Sequence, residues 1–255
     1  MTFYKYQATG NDFIMVDNRQ EFFPKNDTKT IRHLCHRRFG IGADGLILLE
    51  ADNSTDFRMV YFNADGKQGS MCGNGGRCIV AFARFLELID AQCTFQAVDG
   101  VHQARISKDQ IALQMQDVTH IQSNPRYLYL DTGSPHHVQF WEDWDTLDVE
   151  KEGRRIRYGL YGETGSNINF VRPLDSGRFQ VRTYERGVEA ETYSCGTGVT
   201  AVALAMYELG QLSQPEATLD TLGGTLKVRF KKGQGGFSDI WLEGPAERVF
   251  KGVLK

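Results

Sequence analysis

With 255 residues, 41% of them hydrophobic and 24% charged, the chain has material for one large domain or two ordinary ones with cores of their own. A net charge of −3 and a pI near 6.1, with no Lys/Arg cluster, speak against nucleic acid or an anionic membrane as partner. No segment approaches ~18 uninterrupted apolar residues, and Met1-Thr2-Phe3-Tyr4-Lys5-Tyr6 lacks a basic region followed by an apolar stretch, so neither membrane spanning nor secretion is expected. Five cysteines, an odd number without disulfide-framework spacing, fit thiols in the reducing cytoplasm.

Short apolar stretches at 3–6, 12–16, 46–49 and 57–62 read as strands, punctuated by Gly, Asn and Asp. Cys72-Gly73-Asn74-Gly75 then opens a long apolar run at 79–89, which predicts a buried helix, and a strand follows at 111–115. A polar stretch at 117–125 marks the boundary between two halves, predicted as 1–116 and 117–245. The second half repeats the theme, with strands at 127–130, 137–140, 168–171 and 180–184. Cys195-Gly196-Thr197-Gly198 opens a second apolar run at 199–209, and strands at 226–230 and 240–242 close the series. The glycine-rich stretch 231–236 reads as a surface turn, and no segment is of low complexity. The expected fold is α/β (α+β): two pseudo-symmetric domains, each a strongly curved mixed sheet around a central buried helix, with the active site in the cleft where the two helix N-termini meet.

The two cysteines are 195 − 72 = 123 residues apart, and that single offset superimposes other features. Thr9-Gly10-Asn11 falls on Thr132-Gly133-Ser134, Gly42 on Gly165, Tyr61 on Tyr184 and Asn63 on Arg186. Such clustering at motif positions reads as internal duplication. A thiol at a helix N-terminus is made more acidic by the dipole and the outward-facing N–H groups, which also suit a carboxylate. Two such thiols are the equipment of a two-base enzyme: to invert an amino-acid α-carbon, a thiolate removes the proton from one face while a thiol delivers one to the other. Carbanion charge then spreads into the substrate carboxylate, so no pyridoxal-type lysine or other cofactor is required.

Gly10-Asn11-Asp12-Phe13, Gly40-Ile41-Gly42-Ala43-Asp44, Phe62-Asn63-Ala64-Asp65-Gly66, Met71-Cys72-Gly73-Asn74-Gly75-Gly76-Arg77, Pro135-His136, Asn167-Ile168-Asn169-Phe170, Glu185-Arg186-Gly187 and Cys195-Gly196-Thr197-Gly198 together resemble the diaminopimelate epimerase family, in that family's order. The resemblance implies a cofactor-independent epimerase that interconverts LL- and meso-2,6-diaminopimelate, in the supply of lysine and cell-wall precursors. It also implies that the last strand, at about 246–255, returns to the first domain, and family analogy admits a homodimer. Catalysis would fall to Cys72 and Cys195, with carboxylate contacts from Gly73, Asn74, Gly196 and Thr197 and thiol tuning by His136 and Glu185. At the unreacting end of the substrate, Arg186 suits a carboxylate, Glu185 an ammonium, and Asn11, Asn63 and Asn169 offer donors and acceptors. Gly45 stands where many members place a substrate-contacting Gln, so that contact is not carried over, and Ser134 stands where many have Asn. Gly76 and Ser194 replace a more usual Ala and are expected to matter little.

Blander roles suit the remaining residues. Cys35, Cys78 and Cys93 read as packing residues, His137 as a strand residue, and Asn63-Ala64-Asp65-Gly66 could be simply a turn. A proline or hydroxyproline racemase-type enzyme would share the two-thiol logic, but its substrate has no second amino-acid centre for Glu185, Arg186 and the asparagines to hold. A thiol redox or metal protein needs ligand or redox spacing; there is no C-x-x-C, Cys72 and Cys78 are poorly placed to share an ion, and no metal is expected. A non-catalytic amino-acid-binding protein would keep the helix-terminus nests and tolerate Cys-to-Ser at both sites.

Overall fold

The computed structural model describes residues 1–254, which divide into two units: Met1–Leu113 with the chain from Gly244 onward, and Gln114–Glu243. In chain order the first unit holds β1 (Thr2–Ala8), β2 (Asn11–Asp17), α1 (Thr28–Cys35), β3 (Gly45–Glu50), β4 (Phe57–Asn63), α2 (Gly73–Phe85), β5 (Gln92–Ala97), β6 (Gly100–Ser107) and β7 (Gln110–Gln114). The second holds β8 (Ile121–Ser123), β9 (Leu128–Asp131), β10 (Pro135–Phe140), α3 (Val149–Tyr161), β11 (Asn167–Asp175), β12 (Arg178–Glu185), β13 (Ala190–Thr192), α4 (Gly196–Glu208), β14 (Glu216–Thr221), β15 (Gly224–Gly233) and β16 (Gly236–Pro245). The last strand, β17 (Glu247–Val253), pairs antiparallel with β1.

The duplication predicted from the 123-residue offset is a duplication of topology. The first unit runs β17-β1-β2-β3-β4-β5-β6-β7, with β2/β3 and β4/β5 parallel and the other neighbours antiparallel. The second runs β8-β9-β10-β11-β12-β14-β15-β16, with β10/β11 and β12/β14 parallel and the rest antiparallel, and β13 added to one end of β12. Both sheets are therefore mixed, in the same succession.

Each unit has a helix at its centre. α4 touches β9, β10, β11, β12, β14 and β15, six adjacent strands that would span about 24 Å if laid flat, twice the width of a helix. Only a sheet curled around the helix allows that. The residues agree: every position from Val199 to Met206 is buried, and in α2 Ile79, Val80, Phe82 and Ala83 are buried against β1 to β4.

Some local readings need correction. The first apolar run is helical only to Phe85, not to residue 89, because Glu87 takes a left-handed φ of 59° and Leu88 N–H turns back to the Ala83 carbonyl. Residues 231–236 are mostly strand: β15 and β16 pair through Gly233 and Gly236, leaving a two-residue hairpin at 234–235. Helices α1 and α3 lie where no helix was predicted. Their runs are largely polar, and burial is confined to one stripe, Ile31, Leu34 and Cys35 in α1 and Val149, Gly153, Ile156 and Arg157 in α3. Caps start them: Asp27 accepts from Thr30 N–H and Asp148 from Lys151 N–H, each at 3.0 Å. Among the described residues no helix is long and apolar enough to cross a membrane.

Candidate active site

Cys72 is the extended N-cap of α2 (φ −117°, ψ 123°), and Cys195 is the extended N-cap of α4 (φ −122°, ψ 113°). Neither side chain caps its own helix, so both thiols stand where a helix start offers N–H groups to an anion. Packing is close behind the second glycine of each motif. A Cβ on Gly75 would lie 3.0 Å from Ile47 Cδ1, and one on Gly198 would lie 2.6 Å from Asn169 Oδ1. At Gly76 a Cβ would meet Met71 Cε at 2.7 Å and Leu113 Cδ2 at 2.9 Å, so these two side chains fill the space an Ala would take.

Around Cys72 the supporting groups are charged. The thiol faces Asn11 Oδ1 at 3.6 Å, an oxygen to which Asn74 Nδ2 also donates at 3.3 Å. Asn11 is oriented from behind, since its Nδ2 donates to Asp44 at 2.6 Å. Asp44 is paired with Arg37, which also grips Asp12 with two bonds of 2.9 and 2.7 Å, and Asp12 is paired with buried Lys5 at 2.7 Å. Burial alone would raise the Asp12 carboxyl, but hydrogen bonds and charge from Arg37 and Lys5 outweigh it and hold the group well below the usual carboxylate range. Thr9 (φ 46°) and Gly10 (φ 84°) make the two-residue turn that delivers Asn11. Arg77, 0% exposed, ties this turn to the helix: it donates to Thr9 Oγ1, Asn74 Oδ1, the Gly73 carbonyl and the Pro245 carbonyl.

Around Cys195 the supporting groups are mostly neutral. The thiol lies 3.4 Å from Thr197 Oγ1, and Thr132 Oγ1 donates to the Thr197 carbonyl at 2.9 Å. Asn169 is buried behind Gly198, donating to His136 Nδ1 and the His137 carbonyl while its Oδ1 accepts from Thr183. Because His136 Nδ1 accepts, its proton sits on Nε2, a buried donor with no hydrogen-bond partner among the described residues. Burial first, and the Arg186 charge second, push the His136 ring down to about 3, so it is neutral at pH 7. His137 is a strand residue, stacked on Tyr127 and bonded to Tyr161 and Gln139.

Glu185 ends β12, and Arg186 begins the exposed turn after it. Arg186 donates from its backbone to Asn167 Oδ1 and from its guanidinium to Ser134 Oγ and the Thr164 carbonyl. Asn167 also donates to Ser134 Oγ, as Asp44 accepts from Asn11 in the other unit. Ser134, Asn167 and Arg186 thus form one polar cluster, whereas Asn169 spends its amide inside the core; the Asn-Ile-Asn spacing could not tell the two asparagines apart. Asn63 ends β4, exposed, and also starts the turn closed by Gly66 N–H. Gly45 is filled from across the sheet: a Cβ there would lie 2.4 Å from Tyr61 Cε2. Cys35, Cys78 and Cys93 are buried packing residues whose thiols burial pushes up, to about 12 for Cys35 and Cys93.

The diaminopimelate epimerase family profile matches residues 3–121 and 128–249. The chain is 56% identical over 256 residues to a diaminopimelate epimerase of Flavobacterium psychrophilum, with 100% of each chain covered. Among solved structures it resembles a phenazine biosynthesis protein of the PhzF family from Bacillus anthracis, at TM-score 0.80 and 14% identity over 100% of this chain and 99% of that one. It also resembles a hydroxyproline epimerase from Agrobacterium vitis, at TM-score 0.69 and 11% identity over 99% of this chain and 91% of that one. At such identities these two structures bear on the fold alone.

Proposed function

The chain belongs to the diaminopimelate epimerase family of isomerases, and from that premise we propose that Cys72 and Cys195 convert LL-2,6-diaminopimelate to the meso form without a cofactor. A thiolate takes the α-proton from one face, its electron pair passes into the substrate carboxylate, and the other thiol returns a proton to the opposite face. The N–H groups of Gly73, Asn74, Gly196 and Thr197, at the two helix starts, stabilise the charge that grows on the carboxylate. The observation that carries the reading is the matched pair of cysteine N-caps on two helices of the same topology.

The second amino-acid centre of the substrate is assigned to Arg186 for its carboxylate and Glu185 for its ammonium, with Asn11 and Asn63 as further contacts. Asn167 and Ser134 join this set because they touch Arg186 directly. Asn169 serves by fixing the His136 tautomer, with one lone pair of Oδ1 left for a further contact. His136 presents a neutral Nε2–H and Glu185 a carboxylate to tune the thiols. Family likeness further supports a cytoplasmic enzyme of lysine and peptidoglycan precursor supply, active as a homodimer; sedimentation of the purified protein checks the last point.

Incubation in D₂O tests the reaction, with LL-diaminopimelate and, separately, proline. Deuterium entering one α-position together with the meso product is expected. Exchange with proline alone would replace the substrate, and exchange with neither would end the proposal.

A further inference from the structure

Arg77 is a cation sealed inside the first unit, and its four hydrogen-bond acceptors, Thr9 Oγ1, Asn74 Oδ1 and the carbonyls of Gly73 and Pro245, are all neutral. A buried charge is costly unless an opposite charge answers it. The charged groups on adjoining elements do not: Lys5 of β1 and Arg37 are already matched by Asp12 of β2 and Asp44 in one closed network. Glu50 of β3 pairs with Lys25, and Arg58 of β4 pairs with Asp52. On β17, Glu247 is exposed and accepts from Gln7, while Arg248 lies over the Phe85 ring. Two thiols of the same segment remain, and Arg77 interacts electrostatically with both. Cys78 is wholly buried, and burial holds its proton on. Cys72 is only partly buried, at the start of α2, where the helix already favours an anion.

The second helix start has the same backbone tie without the charge. Thr200, at 77 + 123, donates to the Gly196 carbonyl at 2.9 Å as Arg77 donates to the Gly73 carbonyl at 3.3 Å. The charged residues at the end of β12, Glu185 and Arg186, are one of each sign. Building on the two-thiol reading, we infer that Arg77 is a positioning residue that makes Cys72 the thiolate, and Cys195 the thiol, of the resting enzyme.

Arg77 acts through space and through Asn74, whose Oδ1 it holds at 2.9 Å and whose Nδ2 reaches the Asn11 oxygen beside Cys72. That oxygen by itself favours a protonated Cys72, and the Thr197 hydroxyl can donate to a charged Cys195. Both are weak, sulfur-centred contacts, and a full charge in a low-dielectric interior outweighs them.

The test is single-hit iodoacetamide alkylation of the substrate-free protein across pH, with each cysteine followed separately by peptide mass spectrometry. In the wild type, Cys72 should reach half-maximal rate about 1 pH unit below Cys195. Arg77→Met should raise the Cys72 midpoint by about 1 unit and leave Cys195 unmoved, while Arg77→Lys should restore most of the difference. Equal wild-type midpoints, or a lower one for Cys195, overturn the inference without any variant having to fold. So does an Arg77→Lys protein that behaves like Arg77→Met. A wild type that shows the bias but fails to exchange the α-proton of diaminopimelate would instead overturn the epimerase reading.

Discussion

The two halves of this molecule share one topology but surround their helix-capping cysteines with different chemistry. Around Cys72 stand Lys5, Asp12, Arg37, Asp44 and the sealed Arg77, whereas Cys195 is supported by Thr132, Thr197, Thr200, Asn169 and neutral His136. What the duplicated fold supplies is the position of a thiol at a helix start, and what the diverged side chains supply is its electrostatics. The two-thiol mechanism proposed above, which needs one base and one acid at the same carbon, would be served by this division, since the backbone geometry can stay matched while the side-chain charge differs.

The sharpest way to break the comparison is to remove each thiol in turn. Cys72→Ala and Cys195→Ala should each lower epimerase turnover by about 10³-fold or more, with little effect on stability, as measured by formation of meso-diaminopimelate. A variant of either that kept a tenth of the activity would show the halves are not equivalent partners in proton transfer.

Acid should separate the halves next. Unfolded histidine takes a proton near pH 6.5, whereas folded His136 resists until about 3 and His137 until about 4, so the second unit loses stability as pH falls from 6.5 through that range. The loss is on the order of several kcal/mol. In the first unit, depressed Asp12 stays charged while its unfolded counterpart protonates, so that loss begins only near pH 4 and continues below it. All three tryptophans, Trp141, Trp144 and Trp241, belong to the second unit, so their emission should change at a higher pH than hydrogen exchange of the α2 amides. Coincident midpoints would mean that the units unfold together and that the contrast has no consequence for stability.

A smaller effect is expected at Gly45. Gly45→Ala would place a Cβ 2.4 Å from the Tyr61 ring and 2.6 Å from the Phe62 carbonyl, and should cost about 1–3 kcal/mol in a denaturant titration. Adding Tyr61→Ala should recover part of it, because only the ring, and not the backbone, can be removed. No cost in the single variant would show that Tyr61 swings away freely.

The cysteine helix starts and the 123-residue repeat were legible because they depend on contiguous residues: a glycine pair, then an apolar run with no polar face. Helices α1 and α3 were not, because their stability comes from one narrow stripe docking on a sheet, a tertiary effect that overrides a mostly polar local pattern. Within the site, the sequence by itself determined that two cysteines begin two buried helices, and so offered the candidates for proton transfer and carboxylate binding. Only the tertiary structure decided which asparagine meets Arg186, which stays inside to fix His136, and that Tyr61 fills the space beside Gly45. The reason is physical: a motif specifies chemistry and local backbone, but burial and hydrogen-bond partners come from residues distant in the chain, and these decide whether a polar side chain is spent on the protein or left for a substrate.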